Sequence, residues 1–398
     1  FKHMLGLEIK NANERVTKSQ IKYEKIAKNN FNQIKKIKFK NPDSVKIIGL
    51  QLKTSSPDKD IPKDVLIELI EKYRNHGSLL PVLLTSTSDE EKKYANEINS
   101  YFENSLISIE SDFLALPSVL NNIDLIVTPD TSVKHLADLN KTKTLEVIYG
   151  HAPFLKQGTY NKGNGILVNS DNLIKLKSND SSNYPKSSEI YKISLLYLDY
   201  IKNDELDLPN NILFFESKKD DLGTWYELKN KIPNQSVEKI LLNISISRHL
   251  IYSILLNKEP QFSLNDFLIY KVETIQKWIR EQKEDAINLM KDLLDTLKSL
   301  INLQRNQNQG IEFAQNLDNI FQCINNNSLI SIPALIFRAK IENIGKGSME
   351  SNMKVVEGLL YEFKTNIQKI ILILDQLSKL LKQPIKKKSN NLQRPNFL

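Results

Sequence analysis

From residue 45 to residue 148, short apolar runs alternate with amphipathic segments, and this rhythm limits the fold more than any other feature of the chain. Residues 45–52, 79–84, 106–109, 123–127 and 144–148 read as strands. The spacing between them predicts helices near 62–75, 89–102, 112–121 and 131–140. Strands apolar on both faces, each followed by a helix, require a parallel sheet covered on both sides by right-handed crossovers. The expected class is therefore α/β, with a Rossmann-like parallel sheet domain. Ligands of such sheets bind beyond the carboxyl ends of the strands, so the loops after the strands are where chemistry is to be sought.

Two of those loops carry unusual residues. In the run 123–137, IDLIVTPDTSVKHLA, the apolar strand stops at Thr128-Pro129 and a helix begins. Asp130 is the N-cap candidate. Thr131 and Ser132 then offer unpaired backbone N–H groups in the first turn, which together with the helix dipole make a place for an anion such as phosphate. The other loop, Lys53-Thr54-Ser55-Ser56-Pro57-Asp58-Lys59-Asp60-Ile61-Pro62, follows the first strand. Past it, Pro62 opens a helix whose Val65, Leu66, Leu69, Ile70 and Tyr73 share one face, with Gly77 beyond its end.

The order D-L-I-V-T-P-D-T-S-V-K-H-L-A resembles the signature of glycosyltransferase family 9, the heptosyltransferases and their relatives. There an Asp-Thr-Gly-x-x-His run lies at the nucleotide-sugar diphosphate, in the C-terminal half of a GT-B fold. Asp130, Thr131 and His135 match, and Ser132 stands in place of the glycine, adding a side chain where backbone approaches phosphate. The 53–62 loop resembles the family's second motif, in which hydroxyl residues and a phosphate-contacting lysine precede a proline. Lys59 takes the lysine's position, with Thr54 and Ser55 before it, while Asp60 and Ile61 replace the residues that commonly follow. The resemblance implies that Lys59 stabilises the charge that develops on the departing nucleotide diphosphate. Asp89 reads either as an acidic group near the nucleoside ribose or as a helix N-cap, and His135 either faces the donor or packs on the sheet. Gly150 and Gly158-Thr159-Tyr160 resemble the loop where the family's backbone approaches the donor.

The resemblance covers roughly residues 45–200, the donor half of such an enzyme. It implies transfer of a sugar, with inversion, from a nucleotide-diphosphate donor to a surface-glycan or lipid-linked acceptor. The general base is unknown, because in the family it is an acidic residue of an N-terminal domain that is not expected within this segment. The nucleotide sugar is substrate rather than cofactor, and no cofactor or metal is expected. Asp58 and Asp60 form only a chance carboxylate pair. No Ser-His-Asp spacing, P-loop or zinc pattern is present.

The expected organisation is a connector with one helix near 19–36 in residues 1–44, the nucleotide-sugar domain at 45–204 and a linker at 205–236. A helical bundle or coiled-coil region follows at 237–382, then a basic disordered tail at 383–398. In the helical region Ile279, Ala286, Met290, Leu293, Leu297 and Leu300 recur at heptad-like spacing, as do Phe363, Ile367, Ile370, Leu374, Leu377 and Leu381. Pro333 and Gly345-Lys346-Gly347 are expected to break it. Trp278 reads as core, and Arg248-His249 as incidental.

Cys323 is the sole cysteine of the 398 residues, so neither an internal disulfide nor a cysteine-based metal cluster can form. The longest apolar run, 370–374, lies far short of a membrane span, and the expected location is the cytoplasm, peripheral to the inner face of the membrane. Of the net charge of +8, residues 1–46 hold the whole excess, with twelve Lys/Arg against four Asp/Glu. These basic segments, with Lys386-Lys387-Lys388, suit an anionic membrane surface. Nucleic acid is not expected, since no aromatic-basic module accompanies the charge, and the helical region suits homo-oligomer formation. A second function class stands beside the enzyme: a non-catalytic glycosyltransferase-like protein serving as a scaffold or assembly component.

Overall fold

The computed structural model describes residues 18–150, 154–174, 184–259, 262–263, 267, 269–305, 310–325 and 328–382. The chain divides after Pro233 into two compact units.

The first unit begins with α1 (Lys18–Lys38) and continues through β1 (Lys46–Gln51), α2 (Lys63–Asn75), β2 (Leu79–Thr85), α3 (Asp89–Ser100), β3 (Ile107–Glu110), α4 (Leu116–Leu120) and β4 (Leu125–Thr128). It goes on with α5 (Ser132–Leu139), β5 (Thr144–Val147), α6 (Phe154–Gln157), β6 (Gly165–Asn169), α7 (Ser170–Ile174), α8 (Ser187–Tyr197), β7 (Ile212–Asp220) and β8 (Gly223–Leu228). All eight strands join one sheet in the order β3-β2-β1-β4-β5-β6-β7-β8. The first six are parallel, as the strand-helix rhythm requires, and β7 and β8 are antiparallel.

Side-chain alternation splits the core between the two faces of the sheet. Ile48, Leu50, Leu125, Val127, Leu145 and Val147 point to the side packed by α2 and α8. Ile47, Leu80, Val82 and Ile126 point to the side packed by α1, α4 and α5. Each fully buried Val, Leu or Ile contributes about 1.5–3 kcal/mol, which is why the central strands tolerate so few polar residues. On the α2 side, the Tyr73 hydroxyl meets Ser194 Oγ at 2.6 Å, tying α2 to α8.

Some expectations change. The segment 205–236, read as a linker, contains the β7–β8 hairpin and completes the sheet: its Phe214 and Phe215 are buried, and β7 pairs along β6. Helix α1 buries Phe31, while its Ile26 is 46% exposed. Glu24 accepts from Asn121 Nδ2 and Lys38 donates to the Ser105 carbonyl, adding exposed polar contacts to the apolar packing of α1. The loop residues 151–153 and the tail 383–398 lie outside the described residues.

The second unit is all α: α9 (Gln235–Leu255), α10 (Val272–Arg305), α11 (Gly310–Gln322), α12 (Ser331–Glu342) and α13 (Met349–Leu380). The heptad positions Ala286, Leu293 and Leu300 of α10 and Phe363, Ile370, Leu374 and Leu377 of α13 are buried together with Trp278. Phe337 of α12 stacks on Phe363 with ring centroids 4.8 Å apart. Pro333 does not break the chain; it sits in the first turn of α12, where its missing N–H costs no helical hydrogen bond. Among the described residues no helix is long and apolar enough to cross a membrane.

Candidate functional site

The strand order reverses direction between β1 and β4, and the crevice beyond their carboxyl ends is the place where open α/β sheets hold ligands. Both sequence motifs land there. The 53–60 loop leaves β1, and Pro129 to Ser132 leave β4.

The 53–60 loop is shaped by its own carboxylate. Asp60 accepts from the Thr54 backbone N–H at 2.7 Å and pairs with Lys53 at 3.0 Å. Thr54 Oγ1 closes the turn on the Ser56 carbonyl. Asp58 accepts from the Ser56 hydroxyl. Both members of the Asp58/Asp60 pair are thus engaged in loop structure, and among the described residues no cluster of His, Cys, Asp or Glu is arranged to hold a metal ion. The loop is pressed against the end of β5 by Gly150, whose φ is +59°. A Cβ there would lie 2.8 Å from both the carbonyl oxygen and Oδ2 of Asp58.

Asp130 is not the N-cap. Thr131 takes that place with extended backbone, its Oγ1 receiving the Lys134 N–H. Asp130 instead turns between two cations: Lys59 Nζ is 3.1 Å from Oδ2, and Lys134 Nζ is 2.7 Å from Oδ1. Burial raises the Asp130 carboxyl, but the Lys134 and Lys59 ammonium groups more than offset this and hold it below the ordinary carboxylate value. The ion pair therefore persists at neutral pH.

Behind Asp130 lies a charged core that sequence reasoning missed. Lys134, wholly buried, also donates to Glu146 Oε1 at 2.8 Å and to the Gln157 carbonyl at 2.6 Å. Glu146 is equally buried on β5 and accepts the Thr159 N–H at 2.7 Å. Burial pushes Glu146 up to about 7, with Lys134 and the Thr159 N–H opposing. Asp138, one turn further along α5, accepts from Thr159 Oγ1, the Tyr160 N–H and Asn164 Nδ2, and so fixes the loop that follows α6. A signal was present in the sequence: Glu146 interrupts an apolar strand, and Lys134 and Asp138 lie four residues apart on the inward face of α5. Charges at such positions require partners.

The remaining expected residues are placed as follows. Thr54, Ser55, Thr131 and Ser132 line a cleft of about 580 Å³ with Ser86, Glu91 and Phe113. Lys59, Asp89, Asp130 and His135 are not among its lining residues. Asp89 is the exposed first residue of α3 and caps nothing, Ser88 being the N-cap residue. The acid that lines the cleft is Glu91, two residues on, which accepts the Ser86 N–H at 2.7 Å. Ser132 is exposed at the start of α5. His135 is exposed on α5, and partial burial with the adjacent Lys134 ammonium lowers its imidazole below the usual value.

A parallel sheet in this strand order, with a lysine and a helix start converging at its switch point, defines a Rossmann-like ligand-binding domain. The comparisons with known proteins narrow the class. Residues 1–185 match the model of glycosyltransferase family 9 (heptosyltransferase). Among solved structures, it is similar to a family 9 glycosyl transferase from Veillonella parvula at 16% identity and a TM-score of 0.37, covering 49% of this chain and 54% of that one. It is also similar to the ADP-heptose lps heptosyltransferase II of E. coli (18% identity, 35% and 40% covered, TM-score 0.28). A third is E. coli heptosyltransferase WaaC with ADP-2-deoxy-2-fluoro heptose (19%, 32% and 39%, 0.26). The chain thus spans about half the length of the first of these structures. No curated protein matches it.

Proposed function

We propose that the sheet unit is the donor-binding half of a glycosyltransferase that takes a sugar, with inversion, from a nucleotide-diphosphate donor to a surface-glycan or lipid-linked acceptor. The observation that carries this reading is the convergence of Lys59 and the Asp130-Thr131-Ser132 turn at the β1/β4 switch point, with Lys59 3.1 Å from Asp130. The diphosphate would accept from the first-turn N–H groups of α5 and from Lys59, which offsets the charge released as the glycosidic bond breaks. Thr54 and Ser55 add hydroxyl donors along the cleft. The exposed ring of Phe113 and the carboxylate of Glu91 suit the nucleoside better than Asp89, because both line the cleft. The reading assigns no general base, and it requires no cofactor. The reading places the protein in the cytoplasm, with its lysine-rich N-terminal segment against the inner face of the membrane and self-association through the helical unit.

One observation favours the second reading, a non-catalytic assembly component: Ser132 puts a side chain at the position where the family motif has glycine. One experiment separates the two. Calorimetric titration of the chain with ADP, UDP and GDP is expected to show binding of one nucleotide, weakened by Lys59→Ala and by Asp130→Ala. A folded protein that binds none of the three would sink the donor site and leave the assembly reading.

A further inference from the structure

The buried ammonium of Lys134 has no place in the donor chemistry just described. Its side chain is wholly buried, and its three N–H donors are matched by three oxygens: Asp130 Oδ1, Glu146 Oε1 and the Gln157 carbonyl. A lysine so satisfied has no donor left for a ligand. Its influence must pass through the groups it grips. Of these, Asp130 reaches onward to the β1 loop, its Oδ2 accepting from Lys59 Nζ and, at 3.5 Å, from Gln157 Nε2.

We propose that Lys134 is a positioning residue which, by holding Asp130 from below, fixes Lys59 at the end of the loop that leaves β1 as the receptor for an anionic phosphate group. The proposal rests on the donor-site reading above and adds to it the means by which Lys59 is pre-organised.

The geometry supports it in two ways. Lys59 lies at the end of a single turn, Pro57–Lys59, and its side chain remains 24% exposed. A long flexible side chain in that setting is spread over many rotamers unless something anchors its tip. Asp130 is that anchor, and Asp130 is itself anchored, because one of its oxygens is committed to a cation that cannot move. The second point concerns donors. Lys59 donates to Asp130 Oδ2 at 3.1 Å, and an ammonium carries three N–H donors, so donors remain for an incoming anion. Glu146 and the Gln157 carbonyl keep the Lys134 ammonium solvated in the core, which is what lets a lysine sit there at all.

The test uses the full chain and two readouts. Lys134→Met alone would leave Glu146 buried and unpaired, so the informative variant is Lys134→Met/Glu146→Leu, which replaces the pair with apolar groups and whose folding is checked by circular dichroism. In the first readout, acetylation of lysine amines is followed by mass spectrometry. Lys59 is expected to react about fivefold faster in the double variant, as an ammonium released from its anchor becomes more accessible, while Lys25 on α1 stays unchanged. In the second, Lys59→Met is introduced into both backgrounds. It is expected to weaken the preferred nucleotide by about tenfold in the wild type, the value of a charge-assisted hydrogen bond, and by less than about twofold in the double variant. An unchanged Lys59 acetylation rate in the folded double variant overturns the proposal, and so does an equal loss from Lys59→Met in both backgrounds. A faster rate with no nucleotide bound by the wild type supports the positioning role and removes the donor reading instead.

Discussion

Lys134→Met is the substitution whose consequence can be worked furthest from the structure. It removes the cation between two carboxylates and leaves Glu146, wholly buried, with the Thr159 N–H as its remaining donor. Removing one partner of a buried ion pair costs about 3–5 kcal/mol because the surviving charge is uncompensated. At about 2–4 °C per kcal/mol for a unit of this size, the melting temperature of the sheet unit falls by about 6–20 °C. The loss depends on pH, with a sign that the burial of Glu146 sets. In the wild type its carboxyl is raised from 4.5 to about 7, so the folded state holds a proton that the unfolded chain releases. Its contribution to stability is therefore fully present below the unfolded value and declines as pH rises through that window. Without Lys134 the carboxyl rises further and stays protonated over a wider range, which relieves the unpaired charge in acid. Thermal unfolding followed by circular dichroism should show a smaller loss near about pH 5.5 than near about pH 8, and Glu146→Leu added to the variant should recover most of it. A loss below about 1 kcal/mol at both pH values, or a larger loss in acid, would refute the argument that Lys134 and Glu146 form a charged pair in the core.

Gly150→Ala should lower stability by about 1–2 kcal/mol, the cost of a side chain in the left-handed region. It should also weaken nucleotide binding by displacing the Pro57–Lys59 turn, and titration beside thermal unfolding checks both effects. Ser132→Gly restores the residue of the family motif at an exposed first-turn position, so nucleotide should bind more tightly while stability falls by no more than about 1 kcal/mol; unchanged or weaker binding would show that the serine does not obstruct the anion. Leu293→Ala, in the core of the helical unit, should destabilise that unit by about 2–5 kcal/mol in denaturant unfolding, while the nucleotide affinity of the sheet unit is retained.

Much of the first unit could be read from the chain because parallel strands buried on both faces need continuous apolar runs, and few other folds tolerate them. The strands at β1, β2, β4 and β5 lie within a residue or two of their expected bounds, and both motif loops fall at strand ends. The hairpin β7–β8 was not legible: its Lys218, Lys219, Glu216 and Glu227 are edge charges that pair with one another on an exposed face, and in sequence they look like a linker. Asp89 and Glu91 show the same limit in the cleft. Both acids open α3, and only the direction in which α3 leaves β2 decides which of them lines the crevice.

The sequence by itself determined the parallel sheet, the long apolar faces of the helical unit and the two loops that carry the family motif, because periodicity and turn chemistry are local properties of neighbouring residues. Only the tertiary structure decided that Asp130 faces Lys59 and Lys134 rather than capping its helix, and that Glu146 lies behind them. Those partners are separated by up to 71 positions of chain, and no local pattern records which charge will be brought against which when β1, β4 and β5 align. A buried charge announces that a partner is needed; the packing of the sheet selects it.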